Sequence, residues 1–146
     1  MTLPFEVTRE VAHTCLCMHA QRAARALARR FDAALRPFDL TNGQFSLLMS
    51  LNRAAPPTIG SVAELLAMDR TTLTANLKPL ARRGLVRAIV DDADKRVRRL
   101  SLTAAGRELL VAAVPVWRSE HAAVERELVG AERLRADLSA LVAAAA

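Results

Sequence analysis

Residues 60–103 read GSVAELLAMDRTTLTANLKPLARRGLVRAIVDDADKRVRRLSLT, and this stretch decides the fold. A short helix that begins at Thr58 or Gly60 and ends at Leu66 precedes a longer helix, Asp69 to Arg83, and a charged hairpin follows. Two helices joined by a tight turn and followed by a hairpin indicate a winged helix-turn-helix. We therefore expect residues 40–103 to form a DNA-binding part.

The longer helix has two faces of opposite chemistry. Leu73, Leu77 and Leu80 recur at i, i+4 and i+7, which predicts a face buried in the core. The opposite face carries hydroxyl, methyl and cationic groups, and these are the groups that contact base edges and phosphates in a DNA groove. The predicted DNA contacts of the helix pair are Ser61, Arg70, Thr71, Thr72, Thr74, Ala75, Lys78 and Arg82. For Ser61 the alternative is an ordinary residue of an early helical turn.

The ends of this helix are marked in the sequence. Asp69 can accept the free amides of the first turn, so we interpret it as an N-cap and not as a ligand. Gly84 can adopt the left-handed conformation that ends many helices, with Leu85 as the accompanying hydrophobic contact. Pro79 lies inside the helix and removes one hydrogen bond, which predicts a kink or a loosened last turn.

Two β-prone runs, Leu85 to Val90 and Val97 to Leu102, enclose the charged tip Asp91 to Arg96. The second run alternates polar and apolar residues, as a half-buried strand does. Arginine at such a tip can enter a minor groove, where the negative potential is enhanced. The predicted contacts of the hairpin are Lys95, Arg96 and Arg98. Because charge runs usually face water, the alternative is a solvated surface hairpin.

Three segments of this chain, in this order, resemble the MarR (multiple antibiotic resistance regulator) family of bacterial transcription factors. The segments are LLAMDRTTLT at residues 65–74, LARRGLV at 80–86, and DDADKR at 91–96 followed by LTAAG at 102–106. The family's wing commonly reads Asp-x-x-Asp-Arg-Arg; here Lys95 replaces the first Arg, which leaves Arg96 as the expected groove-inserted residue. The resemblance extends over nearly the whole chain.

The flanking segments are predicted to be helical. Thr8 to Arg36 is interpreted as one long helix ended by Pro37, and Thr41 with Gln44 forms a capping box that opens the next helix. Beyond the hairpin we predict helices from Ala104 to Leu128, with a kink at Pro115, and from Ala131 to Val142. The resemblance implies that residues 8–38 and 104–146 interlock two subunits as a homodimer. Trp117 is a candidate anchor there, with ordinary core packing as the alternative.

Length and composition agree with one mostly α-helical domain spanning residues 1–146, with a small β-hairpin wing. The chain has 146 residues, no Tyr and 3% aromatic residues, and its formal net charge is +6. The charge suits a polyanionic partner but does not distinguish DNA, RNA and a membrane surface. Neither an apolar run of membrane-spanning length nor a signal peptide is present, so we expect a cytoplasmic protein without a membrane partner.

The sequence does not favour an enzyme. It contains no phosphate-binding glycine loop, no nucleophile with an ordered His and acid partner, and no paired carboxylates in a plausible cleft, and we expect no cofactor. A remaining alternative is an architectural protein that uses the same charge without reading bases.

His13, Cys15, Cys17 and His19 form the remaining motif. His13 with Cys17, and Cys15 with His19, are i, i+4 pairs, and each pair can supply two soft metal ligands. The spacing matches no standard zinc site, so a metal-responsive regulator is only an alternative. The resemblance aligns Cys17 with the peroxide-reactive Cys of the organic-hydroperoxide-sensing branch. That branch uses tyrosines, and Phe31 and Asn42 stand where two are expected. Oxidation sensing by Cys17 or Cys15 competes with a buried, apolar role.

The expected function is a homodimeric transcriptional regulator, more in keeping with a repressor, that binds a pseudo-palindromic operator in double-stranded DNA. Dimer symmetry predicts half-sites about one helical turn, roughly 10 bp, apart. The resemblance implies a small aromatic or phenolic effector in the crevice between the dimer helices and the DNA-binding part. The candidate effector-binding residues are His13, Cys17, Phe31 and Phe45.

Overall fold

A computed structural model of the chain describes residues 1–146 and contains seven α-helices and one antiparallel hairpin. The elements are α1 (Phe5–Thr14), α2 (Leu16–Leu35), α3 (Asn42–Ser50), α4 (Ile59–Leu65), α5 (Arg70–Arg82), β1 (Val86–Val90), β2 (Arg98–Leu102), α6 (Ala104–Arg126) and α7 (Ala131–Ala144). This architecture confirms the predicted winged helix-turn-helix, with α4 and α5 as its helix pair and β1–β2 as its wing. No helix has the length and hydropathy that crossing a bilayer requires.

The prediction of a single helix from Thr8 to Arg36 is wrong. The chain is already helical at Phe5, leaves the helix at Cys15 and ends α2 at Leu35. Cys15 is extended, with φ −71° and ψ 103°, and its Sγ accepts a hydrogen bond from the amide of Met18 at 3.4 Å, which caps α2. Thr14 donates its hydroxyl to the carbonyl of Glu10. Such side-chain bonds to the backbone compete with helix continuation, and periodicity alone does not reveal them.

One hydrophobic core joins α2, α3, α4, α5, the wing and α6. Leu73, Leu77 and Leu80 are all buried in it, which confirms the predicted inward face of α5. In the hairpin, Leu100 and Leu102 are buried while Arg99 and Ser101 are only half-buried, as the alternation predicted. The core therefore fixes the rotation of α5 about its own axis.

The wing is attached to the loop that precedes α4. Val86 pairs with Leu102 and Val90 with Arg98, so the two strands are in register over their whole length. The amide of Leu100 donates to the carbonyl of Pro57 at 2.8 Å, and Thr58 forms an isolated antiparallel β-bridge with Arg99. The wing base is thereby held against the start of the helix pair.

The predicted helix caps are present. Thr41 and Gln44 form the reciprocal capping box, and the side chain of Thr103 accepts from the amide of Gly106 at 3.0 Å. Gly84 has φ +70°, the left-handed conformation expected at the end of α5. Helices α5 and α6 continue through Pro79 and Pro115.

The terminal helices expose apolar side chains. Neither α1 nor α7 contains a buried residue. Phe5 is 70% exposed and Leu16 is 68% exposed. The other exposed apolar residues of these segments include Leu3, Val7, Val11, Leu128, Val129, Leu134, Leu138 and Val142. Exposed apolar surface on this scale marks an interaction site.

Gly106 allows α6 to approach the wing. A Cβ at this position would lie 2.2 Å from the backbone oxygen of Leu85, an atom that cannot move aside as a flexible side chain can. Gly43 in α3 is a contrasting site, because its nearest neighbour would be 4.0 Å from an added Cβ.

We predict that Gly106→Ala destabilises the fold by about 1–3 kcal/mol, the usual cost of overpacking. Thermal unfolding measures the effect, with Gly43→Ala as the matched control whose melting temperature should be unchanged or slightly higher. Equal melting temperatures for Gly106→Ala and wild type would contradict the close approach of α6 to Leu85.

Candidate nucleic-acid interface

The face of α5 opposite its leucines is open to solvent. All the contacts predicted on this helix, namely Arg70, Thr71, Thr72, Thr74, Ala75, Lys78 and Arg82, are exposed. Two of the threonine hydroxyls already donate within the helix: Thr72 Oγ1 to Asp69 Oδ2 at 2.6 Å, and Thr74 Oγ1 to the Arg70 carbonyl at 2.8 Å. Thr71 is therefore the threonine best able to offer a hydroxyl proton to a base edge.

Asp69 has the capping role predicted for it. Its carboxylate accepts from the hydroxyl and from the amide of Thr72, the latter at 2.8 Å. The hydroxyl bond is the largest cause that lowers the pKa of Asp69, and the amide bond adds to it. The carboxylate is thus ionised and engaged at the N-terminus of α5, where it favours the helix dipole.

The wing tip is built around Asp91. Its carboxylate pairs with the Arg99 guanidinium and accepts from the amides of Ala93 at 2.8 Å and Asp94 at 3.0 Å. The Arg99 hydrogen bond is the main cause that lowers the pKa of Asp91 to about 2, and the two amides add to it. Arg99 also donates to the carbonyl of Pro56 at 2.9 Å. Sequence reasoning left out this set of contacts, which we call the Asp91–Arg99 latch. Asp91 and Arg99 meet across the hairpin, and Pro56 comes from a loop far from both in sequence.

The cations at the wing tip project outward. The Arg96 side chain is 91% exposed, and its Nε lies 3.2 Å from Asp94 Oδ1. The pKa of Asp94 is lowered, first by the amide of Arg96 and then by its guanidinium. Lys95 is exposed, and Arg98 donates to the carbonyl of Lys95 at 2.9 Å. The tip therefore presents three exposed cations, and of these Arg96 is paired with a half-buried acid, Asp94.

A basic cleft joins the helix pair to the wing. It has a volume of ≈ 470 Å³ and is lined by Thr58, Ile59, Gly60, Arg70, Thr74, Arg96, Val97 and Arg98. The structure thus brings together predicted contacts of α5 and of the wing that are more than twenty positions apart in sequence. Three guanidinium groups around one open cleft form an arrangement suited to phosphate oxygens.

Two other residues bear on this cleft. Arg70 lies over Gly60, since a Cβ there would be 2.8 Å from Arg70 Nη2. Ser61 is half-buried at the start of α4, where its hydroxyl donates to the Thr58 carbonyl at 3.0 Å. That bond agrees with the alternative stated for Ser61, which is an ordinary residue in the first turn of a helix.

A second, mainly apolar cavity lies between α3, α4 and α6. It measures ≈ 440 Å³, and a neighbouring cavity of ≈ 460 Å³ shares Met49, Val114 and Arg118 with it. Trp117 stacks on Phe45 with ring centroids 5.9 Å apart and an interplanar angle of 20°. Trp117 therefore packs within its own subunit, which agrees with the alternative of ordinary core packing. The lining includes Phe45, Met49, Leu65, Leu66, Val114, Trp117 and Arg118.

The four candidate effector residues do not meet at one place in the chain. Phe45 lines the apolar cavity, and Phe31 is buried beside His121, with ring centroids 6.1 Å apart. Cys17 lies on the same helix as Phe31 but about 21 Å from it, at roughly 1.5 Å per residue. His13 lies beyond the helix break, in α1. Sequence reasoning missed Met49 and Arg118 as lining residues. The single Trp, followed directly by Arg in α6, was a signal that could have pointed to an effector site there.

The thiols lie at the start of α2. Cys17 is exposed, and its Sγ accepts from Gln21 Nε2 at 3.2 Å, whereas Cys15 is half-buried. Within one subunit neither Cys has the buried, apolar surroundings proposed as the alternative to oxidation sensing. No group of three or more His, Cys, Asp or Glu side chains is arranged to hold a metal ion.

Comparisons with known proteins agree with this geometry. Residues 38–97 match the sequence profile described as MarR family. The M. tuberculosis transcriptional regulator MosR in complex with DNA is 43% identical, with a TM-score of 0.83, over 90% of this chain and 96% of MosR. The transcriptional repressor CouR bound to a 23-mer DNA duplex is 28% identical, with a TM-score of 0.75, over 100% of both chains.

The curated relatives align over a shorter region. The transcriptional regulator HosA of Escherichia coli O111:H- is 38% identical over 94 residues, which is 63% of this chain and 65% of HosA. The chain thus spans 57–65% of the length of the curated relatives that it matches.

We predict that Asp91→Asn loosens the wing tip, because the amide keeps an acceptor for Ala93 but loses the charge that holds Arg99. Hydrogen exchange at pH 7 should be several-fold faster for the amides of residues 93–96. Asp92→Asn is the matched control, since Asp92 is exposed beside it and its exchange should equal that of wild type.

The wild type gives a pH test of the same latch. The folded pKa of Asp91, about 2, lies below its ordinary value of 3.8, so the stabilisation is complete above that value and is lost as the pH falls toward 2. An Asp91 carboxyl that titrates by NMR near pH 4, or equal exchange in the two variants, would contradict the latch.

Proposed function

The chain belongs to the MarR family, and we propose that it is a homodimeric regulator that represses transcription by binding a pseudo-palindromic operator in double-stranded DNA. The observation that carries the proposal is the exposed face of α5, continuous with the basic cleft and the wing tip. Helix α5 of each subunit enters a major groove, and the wing follows the backbone into the adjacent minor groove. Repression is favoured because the similar protein CouR is a transcriptional repressor.

A dimer accounts for the apolar surface of the terminal helices. We assign residues 8–38 and 104–146 to dimerisation and residues 40–103 to DNA binding. The exposed side chains of α1 and α7, such as Phe5, Leu134 and Leu138, supply apolar area for a second copy to cover. A two-fold dimer then holds its α5 helices about one helical turn, roughly 34–36 Å, apart.

Base readout and backbone attraction can be separated by mutation. We predict that Ala75→Glu abolishes operator binding, and that Thr71→Ala lowers the preference for operator over random duplex roughly tenfold, within the 1–3 kcal/mol of a good base contact. Lys95→Ala and Arg96→Ala should weaken binding to both duplexes alike and reduce the slope of affinity against salt by about one charge each. Fluorescence anisotropy at several salt concentrations measures these effects.

The matched control for the new charge is Ala105→Glu, in the exposed first turn of α6, which should bind the operator as wild type does. Equal wild-type affinity for operator and random duplex would leave only the architectural alternative, without base reading. Unchanged operator binding by Ala75→Glu would exclude α5 as the recognition helix.

The apolar cavity beside Trp117 is the best candidate for an effector site. Its lining combines the stacked Phe45 and Trp117 rings with the Arg118 guanidinium, which suits a flat apolar compound that carries an acidic group. We assign it to a small aromatic or phenolic effector. Such a compound changes DNA affinity if it binds more tightly to a dimer conformation with one spacing of the two α5 helices than to a conformation with another.

Trp117 is the only tryptophan, so its emission reports on this cavity. Among aromatic and phenolic acids, a compound that lowers operator affinity should also change Trp117 emission. Arg118→Ala should weaken that compound's binding roughly tenfold or more, the worth of a charge-assisted hydrogen bond, without changing DNA binding in its absence. Arg126→Ala, at the exposed end of α6, is the control. The effector would bind elsewhere if a compound released the protein from DNA without changing Trp117 emission and bound Arg118→Ala as tightly as wild type.

Thiol-based oxidation sensing stays a second candidate. It is favoured by the exposure of Cys17 and by the position of Cys15 at the interruption between α1 and α2, where its Sγ caps α2. An oxidised Cys15 can no longer accept the Met18 amide in the same way, which would alter the angle between the two helices. The metal-responsive alternative has no such support.

A further inference from the structure

Arg83 connects the end of α5 to the turn that follows α2. Its Nη1 donates to the carbonyl of Asp39 at 2.6 Å, and its Nη2 donates to the carbonyl of Phe38 at 3.2 Å. The planar guanidinium thus grips two successive backbone carbonyls, a geometry that the single ammonium of lysine does not reproduce. No other hydrogen bond joins residues 36–41 to α5.

The turn that Arg83 contacts contains an uncommon backbone conformation between two buried residues. After α2 the backbone makes a 3₁₀ turn, Arg36–Phe38, and Asp39 then adopts the left-handed conformation at φ +51°. Leu35 and Leu40, on either side of it, are 0% and 3% exposed. A non-glycine residue rarely adopts the left-handed conformation unless its surroundings hold it there. Here the two buried leucines and the two hydrogen bonds from Arg83 do so.

The two neighbouring arginines at the end of α5 have different surroundings. Arg82 lies opposite the leucine face, at about 180° from Leu73 when 100° is counted per residue. Arg83 lies about 80° from that face on the same count, on the side of the α2–α3 turn. Arg82 thus lies on the face that we propose to bind DNA, whereas Arg83 is hydrogen-bonded within the protein.

We propose that Arg83 is a positioning residue that ties α5, the proposed recognition helix, to the end of the dimerisation helix α2. Through this link, the geometry of the dimer sets the distance between the two α5 helices. The inference rests on the proposed function. Each DNA-binding part joins the terminal helices through α2 and α6, so a link at the α2 end limits how far α5 can turn independently. Loss of the link should leave base contacts intact and relax the requirement for one half-site spacing.

The experiment varies the operator spacing. An operator is selected from random duplexes with the wild-type dimer, and versions with one base pair removed or added between half-sites are prepared. Each change moves a half-site about 3.4 Å along the duplex and about 35° around it. We expect the ratio of affinities for the selected and altered spacings to fall roughly tenfold in Arg83→Gln, within the range of measured coupling effects. Arg83→Lys, with one remaining donor group, should be intermediate.

Arg82→Gln is the matched control on the adjacent position. It should weaken binding to all spacings equally and leave the ratio unchanged, as a phosphate contact does. The inference is overturned if Arg83→Gln behaves like Arg82→Gln, or if its ratio equals that of wild type while it remains folded and dimeric. If wild type itself prefers no duplex, the proposed function fails instead.

Discussion

Burial of three leucines on one side of α5 is the constraint on which the interface depends. With Leu73, Leu77 and Leu80 in the core, α5 cannot rotate about its axis without exposing them, at a cost of about 1.5–3 kcal/mol for each side chain. The opposite face, with Thr71, Ala75 and Lys78, is therefore presented to solvent in one fixed orientation. The orientation of the groups that we propose to contact DNA therefore follows from a packing requirement.

The other parts of the interface are oriented by bonds to this core unit. The wing is attached through its strand pairing, through Leu100 to Pro57, and through Arg99 to Asp91 and Pro56. Its exposed cations therefore lie at a defined distance from α5. The arginines differ in what holds them. Arg99 and Arg83 donate to backbone carbonyls of distant segments, whereas Arg96 pairs only with the nearby Asp94 and Arg82 is exposed.

Local patterns predicted most of the fold. The leucine spacing of α5, the capping box at Thr41 and the hairpin around residues 91–96 each depend on residues close in sequence, and each is present. The break at Cys15 was missed because it results from hydrogen bonds of Thr14 and Cys15 that interrupt an otherwise helical pattern. The α5 and wing contacts were predicted from the sequence. The Asp91–Arg99 pair lies within the hairpin, but the bond from Arg99 to Pro56, the two hydrogen bonds of Arg83 and the Trp117 cavity join distant segments, and no local pattern encodes them.

The central claim is that two copies hold their α5 helices together to read one operator. Sedimentation equilibrium at low micromolar concentration tests it most directly, free and with a selected operator. We expect a free species of twice the 15.9 kDa chain mass and a complex of two chains per duplex. A free monomer that binds DNA as one chain per duplex with the same specificity would contradict it.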